Sequence, residues 1–308
     1  MTERERDRRT PPSVIVRELR AMLTNADLIQ RINRRHATAF VLRERYARGE
    51  QGAFALTDPA GNEFVLKWTA DLCALTRFQR AWQVTDRLRA LGYPAPEYVL
   101  VGCTAEAAYA IQRALPGQPM QQLPPALAPD FLALNARQAG QAQAEPPAWP
   151  APVVSPVLFG GDGFCLLEPM QTYSTTSARM LATVQALVRR YAGAIIPRAD
   201  IVHYDCSPAN VLASAAGITG VIDWDGWCAG DRMFDVATML FYSYTDPAVR
   251  AALWQAILTH SGPASGAVYL AHLIHRQVDW SIRYHSAEAI EHWLRIGAAI
   301  LDDLAANV

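Results

Sequence analysis

Lysine is almost missing from this chain: one residue, Lys67, stands beside 27 arginines among 308 residues. Arginine is a rigid planar fork and lysine a compact charge on a flexible stem, so the one ammonium kept marks a place where the two are not interchangeable. Neither sign of charge is in excess. The formal net charge is −1, which excludes a broad basic surface and leaves nucleic acid without an electrostatic case as partner. Cysteine is sparse and odd in number, five in all, with no Cys-x-x-Cys pair and no Cys/His group at zinc spacing. That argues against a disulfide framework and predicts free thiols in a reducing cytoplasm. No apolar stretch reaches the roughly 18 residues of a membrane span. The start, Met1-Thr2-Glu3-Arg4-Glu5-Arg6, carries charge where a signal peptide has its apolar segment. Neither export nor a membrane partner is expected, and there is no internal repeat. The 51% hydrophobic composition suffices for a sizeable core, in one large domain or two lobes.

What is present is a set of polar residues at fixed spacings. Lys67 lies in Phe64-Val65-Leu66-Lys67-Trp68, an apolar, strand-like run. A charge buried there needs a partner, and a nucleotide phosphate fits. Downstream comes Ile201-Val202-His203-Tyr204-Asp205-Cys206-Ser207-Pro208-Ala209-Asn210. Its Asp-to-Asn spacing is that of the kinase catalytic loop, in which one carboxylate serves the attacking hydroxyl and an amide oxygen holds a metal on the phosphates. A second carboxylate is then needed on a neighbouring hairpin, and Gly220-Val221-Ile222-Asp223-Trp224-Asp225 supplies it.

These motifs resemble those of the aminoglycoside phosphotransferase and choline kinase superfamily, relatives of the protein kinases. The family's H-G-D-x-x-x-x-N corresponds to residues 203–210, its I-D-W-[DE] to residues 222–225, and its G-D-x-x-x-D-[LV]-A to Gly230-Asp231-Arg232-Met233-Phe234-Asp235-Val236-Ala237. The resemblance spans about residues 40 to 300. It implies an α+β, bilobal protein-kinase-like fold, with a small sheet-rich N-lobe at 1–114 and a mainly helical C-lobe at 115–308.

The pattern along the chain agrees. The first dozen residues are expected to be disordered, with a short helix over 14–23. Strands follow near 39–45, 53–57 and 63–68, the last two joined by Asp58-Pro59-Ala60-Gly61-Asn62. Gly49 and Gly52 lie at the preceding hairpin tip, where backbone N–H groups approach phosphate oxygens. A helix is expected over 72–91 and two strands near 98–102 and 107–113. Ten of the 20 prolines fall between Pro116 and Pro156, which predicts a long linker or insertion with one helix over 127–143. The remainder reads as helices near 178–191, 236–244, 247–260, 267–284 and 287–306.

On the resemblance, Asp205 is the catalytic base or orienting carboxylate, with His203 beside it holding the loop or moving a proton. Asn210 and Asp223 hold Mg²⁺, Lys67 holds the phosphates of ATP or GTP, and backbone around Ile111 and Arg113 holds the base. Asp235 braces the catalytic loop and Asp231 caps the next helix. Asp225 touches the metal through water or faces the substrate. Trp224 and Trp227 read as packing. His272, His275, His285 and His292 show no metal-site pattern. One departure stands out: the family's helix glutamate that pairs with the strand lysine is absent, since no acid lies between Asp71 and Asp86. Gln79, Gln83, Glu50 and Asp71 are the substitutes available.

The expected activity is transfer of the γ-phosphate of ATP or GTP to a hydroxyl of a small molecule, an antibiotic first. The alternatives are a metabolite kinase (choline, ethanolamine, homoserine or sugar) and a catalytically dead nucleotide-binding scaffold. From residue 201 onward, eleven Asp and Glu face five Arg. That excess predicts a cationic acceptor, with Asp279 beside Trp280 as the pair meeting its amino group.

Overall fold

The computed structural model describes residues 24–46, 52–145 and 148–307, so the expectations for residues 1–12, the helix over 14–23 and Gly49 lie outside the described residues. The chain divides into two compact units, Met1–Leu115 and Pro116–Val308.

In the first unit, helix α1 (Asn25–His36) starts where the Thr24 hydroxyl accepts the Asp27 N–H at 3.1 Å. Five strands follow: β1 (Val41–Arg45), β2 (Ala53–Thr57), β3 (Glu63–Thr69), β4 (Tyr98–Cys103) and β5 (Ala108–Arg113). They form one sheet in the order β1-β2-β3-β5-β4, every neighbour antiparallel. The β2–β3 turn closes on Asp58, whose carboxylate accepts the N–H groups of Ala60 and Asn62, both at 2.9 Å. Strand alternation puts Phe64, Leu66 and Trp68 on one face, packed with Phe54, Leu56, Tyr109 and Ile111 against Leu28, Ile29 and Ile32 of α1. Lys67 therefore leaves the opposite face. Its register partners there are Ala53 and Ala110, whose methyl side chains leave room for the long stem. Helix α2 (Ala74–Ala90) packs on β4 and β5 through Phe78, Ala81, Val84 and Leu88.

The second unit is mainly helical. Gly117, at φ +103°, opens it in a turn where a Cβ would run into the Thr219 hydroxyl and the Ala213 carbonyl, so only glycine fits. Two short sheets carry the loops that matter. β6 (Gln118–Pro119), β8 (Val211–Ser214) and β9 (Gly217–Val221) form one in the order β6-β8-β9, and β7 (Asp200–Val202) pairs antiparallel with β10 (Cys228–Gly230).

The proline-rich stretch, expected to be a linker or insertion with one helix over 127–143, is largely folded. Helix α3 spans only Ala128–Ala136, and α4 (Ala151–Phe159) and α5 (Leu167–Tyr173) are further elements that the proline count concealed. Proline suits a helix's first turn, where its missing N–H has no partner anyway, and Pro129 and Pro152 occupy such positions. Pro156 does not: it lies inside α4 and leaves the Pro152 carbonyl without its helical donor.

Helices α6 (Thr175–Tyr191), α7 (Met233–Tyr242), α8 (Pro247–His260), α9 (Gly262–Tyr284) and α10 (Ala287–Asn307) complete the unit. α9 packs against α4 through α8 and α10, and is buried around most of its circumference, as a central helix must be. It is also the element that brings His272, His275, Arg276 and Asp279 into the interior.

Candidate active site

The loop after β7 is held from below. Asp235, fully buried in the first turn of α7, accepts the His203 N–H at 2.8 Å and the Tyr204 N–H at 3.0 Å. It also accepts Gln138 Nε2 at 2.7 Å. Burial pushes the Asp235 carboxyl up, against the pull of His203 and these donors. Gln138 gives its second N–H to the Ile201 carbonyl at 2.9 Å. No spacing rule pointed to Gln138. Asp231 accepts the Met233 N–H at 3.0 Å at the start of α7, and also the Tyr269 hydroxyl at 2.8 Å.

His203 is committed on both ring nitrogens. Its Nε2 lies 2.8 Å from the Ile222 carbonyl, which only accepts, and its Nδ1 lies 3.3 Å from the Asp205 N–H, which only donates. The imidazole therefore carries its proton on Nε2 and ties the loop at 203–205 to the strand end before Asp223. With both nitrogens occupied, the expected proton-moving role for His203 does not fit, and the loop-holding one does.

Tyr204 stands where the resembling family has glycine, and the reason glycine suits is plain: φ here is +73°. The tyrosine keeps that conformation with its side chain anchored. Its ring stacks on Phe234 at 5.1 Å, and its hydroxyl donates at 2.7 Å to the Pro152 carbonyl, the acceptor freed by Pro156.

Asp205 is half-exposed. Its main-chain carbonyl accepts the Ser207 N–H at 2.8 Å and Asn210 Nδ2 at 2.8 Å, and its Oδ2 accepts the same Nδ2 at 3.1 Å. The donor end of Asn210 is thus turned to Asp205, which leaves the amide oxygen as its acceptor end. The Asn210 carbonyl accepts the Ile222 N–H at 2.9 Å, joining the loop to Asp223. Asp223 is exposed, at φ +71°, a left-handed conformation that aspartate tolerates better than most residues. Trp224 behind it is buried, with its indole N–H 2.7 Å from the Val221 carbonyl, a packing role as expected. A carboxylate and an amide oxygen are hard donors that suit Mg²⁺, which takes its other ligands from phosphates and water. Among the described residues no group of three or more His, Cys, Asp or Glu could hold a metal by itself. Asp225, half-buried, follows one residue on.

Helix α9 supplies a residue that the sequence reading passed over. Arg276 donates Nη2 to Asp205 Oδ1 at 2.9 Å and Nη1 to the Tyr204 carbonyl at 2.9 Å. Its guanidinium lies 5.8 Å from the Phe164 ring centre and 5.7 Å from that of Tyr204. Burial works against its charge, but Asp205 and the surrounding groups outweigh that and raise its pKa.

Asp279 corrects an expectation. It is fully buried, and its oxygens accept Arg283 Nε and Nη2, both at 2.9 Å, and the Leu166 N–H at 3.0 Å. Arg283 continues to the Gly163 carbonyl at 2.9 Å. Asp279 thus anchors the turn ahead of α5 and presents nothing to a substrate amine. Trp280 contacts Tyr284, ring centres 4.3 Å apart, and carries the Arg283 guanidinium 5.2 Å from its ring.

In the first unit, Ile111 is buried at the centre of β5 with its side chain in the core, and the Arg113 N–H is bonded to the Glu97 carbonyl at 2.8 Å. Gly52 has φ +74°, with Arg45 3.3 Å from where its Cβ would stand. Gln79 and Gln83 are exposed on α2, and Asp71 accepts the Cys73 N–H at 3.0 Å and pairs with Arg77 at 3.3 Å.

Comparison with known proteins agrees with this architecture. Among solved structures, the chain is similar to a thermostable mutant of the aminoglycoside phosphotransferase APH(4)-Ia in complex with ADP and hygromycin B (TM-score 0.68, 16% identity, covering 89% of this chain and 97% of that one). It is similar to choline kinase LicA from Streptococcus pneumoniae (TM-score 0.63, 12% identity, 90% and 99%). The macrolide 2'-phosphotransferase MphH from Brachybacterium faecium gives a TM-score of 0.58 at 17% identity (88% and 97%). No curated protein matches by sequence. The kinase-like fold of these neighbours is shared, with a small antiparallel sheet ahead of a mostly helical region. The model of the phosphotransferase enzyme family matches residues 44–269, and the chain belongs to that family.

Proposed function

We propose that this protein moves the γ-phosphate of ATP or GTP to a hydroxyl of a small molecule, with Asp205 orienting the attacking oxygen and accepting its proton. Asn210 and Asp223 would hold Mg²⁺, which when bound neutralises charge on the phosphates. Lys67 is the phosphate-holding lysine of this reading, and a soluble, cytoplasmic protein is part of it. The observation that carries it is the loop itself: Asp235 holds its backbone, while Asn210 is joined both to the Asp205 carboxylate and to the strand end at Asp223. Phosphoryl transfer needs positioning more than covalent chemistry, and this loop is over-determined in position.

An antibiotic is the acceptor to test first, followed by choline, ethanolamine, homoserine and sugars. A cationic acceptor would have to meet acids other than Asp279, which faces inward onto Arg283. A nucleotide-binding scaffold without transfer is the second reading, favoured by the lack of an acid in the first turns of α2. Screening radiolabelled γ-phosphate from Mg·ATP and Mg·GTP against a mixed antibiotic and metabolite library separates the two. Labelled product supports transfer; tight nucleotide binding with no labelled product and no phosphate release leaves the scaffold.

A further inference from the structure

We propose that Arg276 is the positioning residue of the transfer step, holding the Asp205 carboxylate in the orientation that meets the acceptor hydroxyl. This rests on the role given to Asp205 above.

The geometry is a two-point hold. One arm of the guanidinium binds the carboxylate and the other binds the carbonyl of the preceding residue, each at 2.9 Å. A fork that grips backbone and side chain of one turn fixes the torsion between them, which a single-point cation does not. The two carboxylate oxygens have different partners, Arg276 on Oδ1 and Asn210 on Oδ2. The plane of the carboxylate is thereby set, while each oxygen keeps acceptor capacity for the incoming proton. The fork is itself confined: it comes from buried α9, and the Phe164 and Tyr204 rings flank it. Phe164 in turn lies just before Leu166, whose N–H and carbonyl are tied to α9 by Asp279 and His275.

In the step served, the acceptor oxygen forms a bond to the γ-phosphorus as the bond to the nucleoside diphosphate oxygen breaks. The hydroxyl proton passes to Asp205 and from there to water. Arg276 touches none of these atoms. It acts through Asp205, so its effect must vanish when Asp205 can no longer take part.

The test is a double-mutant cycle on the full chain. Phosphate release from Mg·ATP, with water as the acceptor and then with any acceptor the screen finds, is measured for wild type, Arg276→Gln, Arg276→Lys, Asp205→Asn and the combined variants. Calorimetry gives the Mg·ATP affinity of each. Arg276→Gln should lower kcat roughly 10–100-fold, part of the ~10²–10⁴-fold that a positioned acid–base group contributes, with nucleotide affinity within about threefold of wild type. Arg276→Lys, which keeps charge but only one contact, should fall between. In the Asp205→Asn background, either change should alter kcat by less than about twofold. Unchanged kcat in Arg276→Gln, or an equal loss in both backgrounds, overturns the proposal. Should Arg276→Gln not fold, the Arg276→Lys cycle decides by the same criteria. If wild type binds Mg·ATP but passes phosphate to nothing, the function reading fails instead. The pairing is then read by ¹⁵N NMR: the Arg276 guanidinium protons should be protected in wild type and lose protection in Asp205→Asn, and no difference between the two removes the hold on Asp205 as well.

Discussion

Lys67 stands between Ala53 and Ala110 on the face of β3 turned away from Phe64, Leu66 and Trp68. Room for one stem is not room for a fork, so Lys67→Arg should lower kcat/KM at least about tenfold, although the charge remains. Near-normal kinetics for that variant would make the lone lysine an accident of composition. Asp223→Ala should abolish the Mg²⁺ dependence of nucleotide binding, and titration with Mg·ATP and with metal-free ATP reads it directly; equal affinities for the two in wild type would remove Asp223 from the metal. These candidates could be named from the sequence because the motifs set their groups close together: Asn210 stands five positions after Asp205, and Asp223 directly follows Ile222. Arg276 and Gln138 were not legible, since they arrive from 71 and 97 positions away from their carboxylate partners, with no spacing to betray them. Asp279 was misread for a different reason. A count of charges says nothing about which way a side chain faces, and its partner Arg283 stood four residues on, at the helical ion-pair spacing.

Elements carry a second layer of coupling. Pro156 withholds a hydrogen bond from α4, and the Tyr204 hydroxyl fills the vacancy at the Pro152 carbonyl. Tyr204→Phe should therefore destabilise the protein by about 1–3 kcal/mol, the range for leaving a buried polar group unpaired. Pro156→Ala restores an N–H at the position that serves Pro152, so in the Tyr204→Phe background it should recover much of that loss. Urea unfolding of the two single variants and the double decides: additive effects would mean the proline and the tyrosine are unrelated. The strands were readable from alternation and from the Asp58 turn. Helix α1 was missed although Thr24 and Asp27 form its N-terminal signature, because its apolar stripe is only Leu28, Ile29 and Ile32 among arginines. The proline-rich stretch misled in the opposite direction. Proline counted as a breaker, whereas Pro129 and Pro152 begin helices.

Across the whole molecule, the buried histidines of α9 set how stability responds to acid. His272 donates Nδ1–H to the Val153 carbonyl at 3.0 Å, and burial lowers its pKa from 6.5 to about 3. In the unfolded chain the same ring takes up a proton near 6.5, so between these limits unfolding binds a proton and stability falls as pH falls, by about 1.4 kcal/mol per unit. His275 is shifted the same way by burial. Urea midpoints at about pH 7.5 and about pH 5 should show the decline, and His272→Gln should lessen it; an identical slope in the variant would place the effect elsewhere. Helix α9 also imposes an order in time. The loop at 203–205 waits 32 positions for Asp235 and, from Asp205, 71 for Arg276. At the pace of translation, about 5–20 residues per second, roughly 4–14 s separate the synthesis of Asp205 from that of its arginine. A nascent chain arrested before Gly262 would already encode every motif by which the family is known, and still lack the residue that aims its aspartate.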